Sequence, residues 1–334
     1  MGIPVTMVPI CSMAKPVKRL SASLSFDNTA LLAASSDDGS IFFFHAVNHT
    51  LYKQITAHRG QINKAGFNSA GGLLSKGQGG SRLASVGCDG QLRIWKTEGC
   101  IDHATGKAEW DIEEHWCLDV HSSQYNPFAW HPYHRDFLAA NMNPGHFQVF
   151  DTHRQVALCN IALQGTSPVL ECEFAGDESC CCLLVSQNDG TLSAWDYRTG
   201  RSLWIARQPS DDKRNDGIVS IQAEHYGEPK AYTVDRSGSV EIWNVAEGRR
   251  IQSRNGRMGD YQRLAYDGGN LVHICSDNVG TENAESRVAL LDPDSGEVVW
   301  STAFRLALYS VACQGSMVAF ADSSGVHLGR IDIA

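Results

Sequence analysis

Leu83-Ala84-Ser85-Val86-Gly87-Cys88-Asp89-Gly90-Gln91-Leu92-Arg93-Ile94-Trp95 reads as two apolar runs joined by an Asp-Gly pair. Asp and Gly tolerate positive φ best, so the stretch predicts a strand, a tight turn and a second strand. The same order of residues recurs at Asn188-Asp189-Gly190-Thr191-Leu192-Ser193-Ala194-Trp195-Asp196 and at Asp235-Arg236-Ser237-Gly238-Ser239-Val240-Glu241-Ile242-Trp243-Asn244. Weaker copies lie at Asp38 to His45, Gly145 to Asp151 and Arg287 to Asp292, and a degenerate one runs from Gly325 to Asp332.

The large residues that close the copies stand at 44, 95, 150, 195, 243, 291 and about 330, so the chain holds seven units of roughly 40 to 55 residues. A second marker follows in phase: Thr105-Gly106 before Trp110, Thr199-Gly200 before Trp204, and Ser295-Gly296 before Trp300 each place a Gly turn ahead of a further short strand. Four short strands per unit make one blade, so the expected fold is an all-β, seven-bladed propeller, a single domain over residues 1–334. The last unit ends at its third strand, whereas Ile3 to Ile10 is strand-like. An N-terminal strand at about 3–10 is therefore expected to complete the last blade and remove two open sheet edges.

Composition narrows the function. The 334 residues carry 28 Lys+Arg against 37 Asp+Glu, a net charge of −9, whereas nucleic-acid and membrane-surface binders rely on surplus cations. No apolar run approaches the roughly 18 residues of a membrane helix. Pro4 and Pro9 interrupt an N-terminus that lacks a basic start and a long apolar segment, so no cleaved secretion signal is expected. Eleven cysteines, an odd number in a long chain, read as mostly buried thiols rather than a disulfide framework. A cytoplasmic or nuclear location follows as the expectation.

The whole chain resembles the tryptophan-aspartate (WD) repeat family, whose blades carry a Gly-His pair, a Ser on the second strand, an Asp in the next turn and a Trp on the third strand. Unit 2 matches best, with Ala57-His58 followed by Ser85, Asp89 and Trp95. A histidine bridging a carboxylate, a hydroxyl and an indole satisfies half-buried polar groups within one blade. Such a tetrad stabilises and does not catalyse. Elsewhere His and Ser are mostly missing, and Phe44, Phe150 and Leu291 replace the Trp, so apolar packing is expected to hold those blades.

The resemblance also implies two loop-bearing faces. Ser276 to Ser286, Pro209 to Gly217 and Glu114 to His121 fall on the face of the second-to-third and fourth-to-first strand loops. Gly71 to Ser81 and Thr97 to Gly106 fall on the other. Recognition is expected in such departures from the repeat, with Trp116 as a candidate anchor. Leu183 to Arg198, ending in Trp195-Asp196-Tyr197-Arg198, resembles the sixteen-residue box of WD-repeat substrate receptors that dock on the damaged-DNA-binding adaptor of cullin ubiquitin ligases. That resemblance implies that Asp196 and Arg198 face the adaptor. The plainer reading is that Asp196 caps its turn and Arg198 is simply exposed.

The expected function is a non-catalytic scaffold that binds proteins or peptides, a monomer within a larger hetero-complex and a candidate cullin-ligase substrate receptor. An RNA-processing or ribosome-assembly subunit is the alternative, with no direct nucleic-acid contact. Asp292 to Trp300 and the pair Cys181-Cys182 also resemble features of quinoprotein propeller enzymes. Those are larger exported proteins that hold calcium with paired carboxylates not found in this sequence, so no enzyme activity, cofactor or metal is expected. Gly71 to Ser81 lacks the Gly-Lys-Ser/Thr order that cradles phosphate. His131-Pro132-Tyr133-His134 reads as a solvated turn without the partners of a metal site, and Cys117 with His121 is too isolated to be half of one. Lys15, Lys18 and Arg19 form the basic cluster of note, read as a solvated face. Met1 to Thr6 formally fits the N-myristoylation pattern, against which stand Pro4 and the closing strand.

Overall fold

The computed structural model describes residues 5–12, 24–27, 31–46, 50–68, 81–102, 107–121, 127–165, 167–206, 217–225, 228–257, 259–322 and 325–331. The strands form seven four-stranded antiparallel sheets. Blade 1 holds β2 (Leu24–Phe26), β3 (Leu31–Ser35), β4 (Ser40–His45) and β5 (Thr50–Thr56). Blade 2 holds β6 (Ile62–Phe67), β7 (Ser81–Gly87), β8 (Gln91–Asp102) and β9 (Lys107–Asp119). Blade 3 holds β10 (Phe128–Trp130), β11 (Phe137–Asn143), β12 (His146–Asp151) and β13 (Val156–Ala162). Blade 4 holds β14 (Val169–Ala175), β15 (Cys182–Gln187), β16 (Leu192–Asp196) and β17 (Arg201–Ile205). Blade 5 holds β18 (Ile218–Ala223), β19 (Lys230–Asp235), β20 (Val240–Asn244) and β21 (Arg249–Arg254). Blade 6 holds β22 (Tyr261–Asp267), β23 (Asn270–Asp277), β24 (Glu285–Leu291) and β25 (Val298–Phe304). Blade 7 holds β26 (Ser310–Gln314), β27 (Met317–Ala321), β28 (Gly325–Ile331) and, as its outermost strand, β1 (Val5–Ser12).

Ring closure is set by β1, which pairs antiparallel with β28 from Val5 opposite Ile331 to Ser12 opposite Gly325. It runs two residues later than the sequence pattern suggests. Pro9 is accommodated where the register shifts on an edge strand, the kind of position a residue without an N–H can occupy. The first strands β10, β14, β18, β22 and β26 lie side by side in turn, and β26 returns against β2, which lies beside β6.

The core is a series of inter-blade layers. Phe43, Ile62, Leu83 and Trp95 pack between blades 1 and 2, and Phe147, Phe174, Leu183 and Trp195 between blades 3 and 4. Phe44, Phe150 and Leu291, which replace the Trp, are all buried. Every second residue of a blade strand faces a neighbouring blade on one side or the other, which is why strands such as Leu31–Ser35 are buried throughout.

The Asp-Gly turns position the loops. Gly39 takes φ +86°, and a Cβ there would lie 2.1 Å from the carbonyl oxygen of His58. Its own carbonyl accepts the N–H groups of Ala57 and His58 at 2.8 and 3.0 Å, tying the turn of blade 1 to the segment that enters blade 2. Gly39→Ala is expected to cost roughly 2 kcal/mol or more, because strain and a backbone clash add. A urea midpoint unchanged from that of the parent protein would contradict this.

Two expected loops are strand instead. Thr97 to Asp102 extends β8 and residues from Lys107 extend β9, because Trp110 and Ile112 are buried against blade 1 and hold the hairpin down. Tyr52 Oη donates to the Trp110 carbonyl and accepts its N–H, each at 2.8 Å. Glu114 to Asp119 likewise belongs to β9, leaving Val120 and His121 in the connection. Pro209 to Asp216, Gly71 to Gly80, Lys15, Lys18, Arg19 and Gly2 lie outside the described residues. Among the described residues no helix is long and apolar enough to cross a membrane.

Candidate functional site

In blade 2, His58 precedes β6, Ser85 lies on β7, Asp89 sits in the following turn and Trp95 on β8. His58 Nδ1 meets Asp89 Oδ1 at 2.9 Å and its Nε2 meets Ser85 Oγ at 2.8 Å. Trp95 Nε1 donates to the same Ser85 oxygen at 2.9 Å, so the hydroxyl and not the imidazole receives the indole. The second Asp89 oxygen accepts the N–H of Arg59 at 3.0 Å. Burial lowers the pKa of His58 against the pull of Asp89. For Asp89, burial acts upward but is outweighed by the hydrogen bonds from Arg59 and His58, so its carboxyl lies below the usual range. Each polar group is spent on another within the blade, with none directed at an open cavity.

The other blades keep fragments of this network. Trp195 Nε1 donates to Ser193 Oγ at 2.9 Å and Trp243 Nε1 to Thr233 Oγ1 at 3.0 Å. Asp292 accepts the N–H groups of Asp294 and Ser295 at 3.0 and 2.8 Å, which makes it a turn-capping residue.

At the end of β16, Asp196 Oδ1 accepts the N–H of Arg198 at 2.9 Å, and Oδ2 accepts the Thr199 hydroxyl at 2.7 Å. Burial raises its pKa, but these bonds prevail and lower it. Arg198 is exposed; its Nε donates to Tyr197 Oη at 3.1 Å and its guanidinium lies 5.2 Å from the Tyr197 ring centroid. Asp196 thus caps its turn while Arg198 leans on Tyr197.

Beneath Tyr197 lies His131, fully buried, contrary to the solvated turn expected for His131 to His134. Tyr197 and Phe174 of the next blade cover it, each ring 4.8 Å away. Its Nδ1 accepts the N–H groups of Tyr133 and His134 at 3.1 and 3.0 Å, and its Nε2 has no hydrogen-bond partner. Burial first, then the charges of His134, Arg198 and His225, push its pKa down to about 3. Trp116 lies half-buried on β9, edge-on to Phe150 of blade 3 at 5.5 Å, and is strand rather than loop.

The first strands carry a charged pair between blades. Lys64 of β6 donates to Glu171 Oε1 of β14 at 2.7 Å and lies 5.3 Å from the Phe128 ring centroid. Glu173, two residues along β14, is pushed up to about 8 by burial despite Lys64. Two carboxylates at alternate positions within Leu170-Glu171-Cys172-Glu173-Phe174 were the available signal.

A family model described as WD domain, G-beta repeat matches residues 49–96, the segment running from β5 into β8 that contains the complete tetrad. Its single repeat sits within seven blades of one design. This match and the seven four-stranded blades together support a WD-repeat propeller family. No curated protein matches it. A WD-repeat propeller of this form is consistent with a non-catalytic scaffold for other proteins. Among the described residues of this WD-repeat chain, no group of three His, Cys, Asp or Glu side chains is placed to hold a metal ion.

Proposed function

We propose that this WD-repeat propeller is a non-catalytic scaffold that recruits protein partners, and that the exit of β16 is one docking point, used as in substrate receptors of cullin ubiquitin ligases. The observation that carries the finer reading is the exposed Arg198 guanidinium, held by Tyr197 at the end of a Trp195-Asp196-Tyr197-Arg198 segment. A pre-positioned side chain loses less freedom on binding than a mobile one, and Arg is a frequent binding hot spot. Asp196 supports it by shaping the turn. The reading places the protein in the cytoplasm or nucleus as one member of a larger assembly.

Purification of the tagged full-length chain at moderate salt is expected to recover the adaptor. Arg198→Ala is expected to reduce recovery by about tenfold, the effect of a lost charge-assisted contact. Asp196→Ala adds the loss of the turn cap. Recovery unchanged by both substitutions removes the ligase reading and leaves the scaffold to be identified from whatever other proteins co-purify.

A further inference from the structure

Blades 5 and 6 meet around a leucine rather than an aromatic residue. Leu291, paired with Leu271, occupies the ladder position that Trp95, Trp195 and Trp243 hold opposite Leu83, Leu183 and Ala231. Two residues earlier, Ala289 pairs with His273 where Arg93 pairs with Ser85 in blade 2. The smaller side chains leave a cleft of about 280 Å³, whose lining includes Ala289, Leu291 and Val298 together with Arg254, Arg257 and Arg287.

The floor is fixed. Gln262 Nε2 donates to the Arg257 carbonyl at 3.0 Å, leaving its Oε1 to accept from His273 Nε2 at 2.7 Å. Burial, with Arg254 nearby, holds the imidazole neutral by pushing its pKa down to about 4. Arg257 and Arg287 in turn bear on the Cys275 thiol beside it, so the three cations surround one small volume.

These cations are only partly balanced. Arg257 is ion-paired with Asp277 at 3.0 Å, and Arg254 donates to the Gly296 carbonyl at 3.2 Å. Among the described residues Arg287, which is exposed, has no ion-pair or hydrogen-bond partner. On a chain of net charge −9, a cleft with three guanidiniums and one bonded carboxylate is a local reversal of sign. Guanidinium forks match tetrahedral oxyanions through paired N–H···O bonds. The volume falls below the roughly 300–1,000 Å³ of small-molecule pockets, so it suits one head group rather than a nucleotide. Val298, which lines the cleft, is 39% exposed and offers an apolar rest for a neighbouring side chain.

We propose that the cleft between blades 5 and 6 binds a phosphorylated serine or threonine side chain of a partner protein, with an adjacent apolar residue resting on Val298. The inference rests on the scaffold reading for the nature of its ligand, but not on Asp196 or Arg198.

The test uses the full-length chain and an immobilised pool of phosphoserine peptides with degenerate flanks, its unphosphorylated counterpart, and phosphatidylcholine vesicles with and without phosphatidylinositol 4-phosphate. The phosphorylated pool is expected to retain the protein at least about tenfold better than its counterpart, with inorganic phosphate competing. Arg287→Ala, at an exposed unpaired position, is expected to cut retention by about tenfold at an unchanged melting temperature, and Arg287→Lys to restore part of it. The Asp196→Ala/Arg198→Ala protein is expected to retain the pool fully, which separates this site from the adaptor reading. Equal retention of both pools, indifference to Arg287→Ala, loss of retention in the Asp196/Arg198 protein, or Arg287-dependent binding to vesicles alone would overturn the proposal.

Discussion

Stability is expected to peak near pH 6.5 and to fall steeply below it, because the folded ring keeps several imidazoles neutral. His131 is held at about 3 by burial and nearby cations, His225 at about 4 by burial, and His273 at about 4 by burial and Arg254. In the unfolded chain each takes up a proton near pH 6.5, while in the folded protein it does not until its depressed value is reached. Between those limits the unfolded state binds more protons, so stability present above pH 6.5 is lost as the pH falls, by up to about 1.4 kcal/mol per unit for each group. Glu173, raised to about 8 by burial, acts in the opposite sense. Its folded carboxyl keeps a proton that the unfolded chain has released, so stability grows as pH falls from 8 towards the unfolded value near 4.5. Glu173 acts above pH 6.5, and these three imidazoles, joined by His58 and His115, whose pKa values burial also lowers, oppose it below. The net loss from pH 6.5 to 4.5 is then several kcal/mol, a large share of the 5–15 kcal/mol that holds a typical domain. Urea midpoints measured from pH 8.5 to 4.5 check the profile: a flat curve, or a maximum below pH 5, would contradict it. Glu173→Gln is expected to flatten the alkaline side.

Trp95→Ala is expected to lower stability by about 3–5 kcal/mol. The indole is 7% exposed and packs with Phe43, Ile62 and Leu83 between blades 1 and 2, so its removal leaves a cavity at a junction of two sheets. It also removes a donor from Ser85, although His58 continues to bond that oxygen. Trp195→Phe, which keeps most of the volume and loses the bond to Ser193, is expected to cost only about 1 kcal/mol. Equilibrium denaturation of the two variants separates packing from polar contributions, and equal losses would show that the hydrogen bond dominates.

The Asp-Gly hairpins were readable because their chemistry is local: Gly39, Gly90, Gly190 and Gly238 all take φ between +75° and +86°, a demand few other residues meet. The tetrad was readable for a related reason, since a His, Ser, Asp and Trp in one order at one spacing have few other uses. His131 was not, because what buries it is Phe174 and Tyr197, supplied by a different blade. The long β8–β9 hairpin was missed because its anchor, Tyr52, belongs to blade 1 while Trp110 belongs to blade 2. The arginine-rich cleft escaped notice although Arg249, Arg250, Arg254 and Arg257 fall within nine residues, because the strand and the loop divide them and Arg287 joins only in three dimensions.

Val5 lies opposite Ile331, so the final sheet is stitched from pieces 326 positions apart. During synthesis β1 emerges before the other strands of the ring and pairs with the last of them, waiting while every other blade can form from consecutive segments. Such distant pairing slows folding and keeps a sticky strand available to the wrong partners meanwhile. Nascent copies therefore have most to gain from a chaperone that holds the leading segment apart until the trailing one arrives.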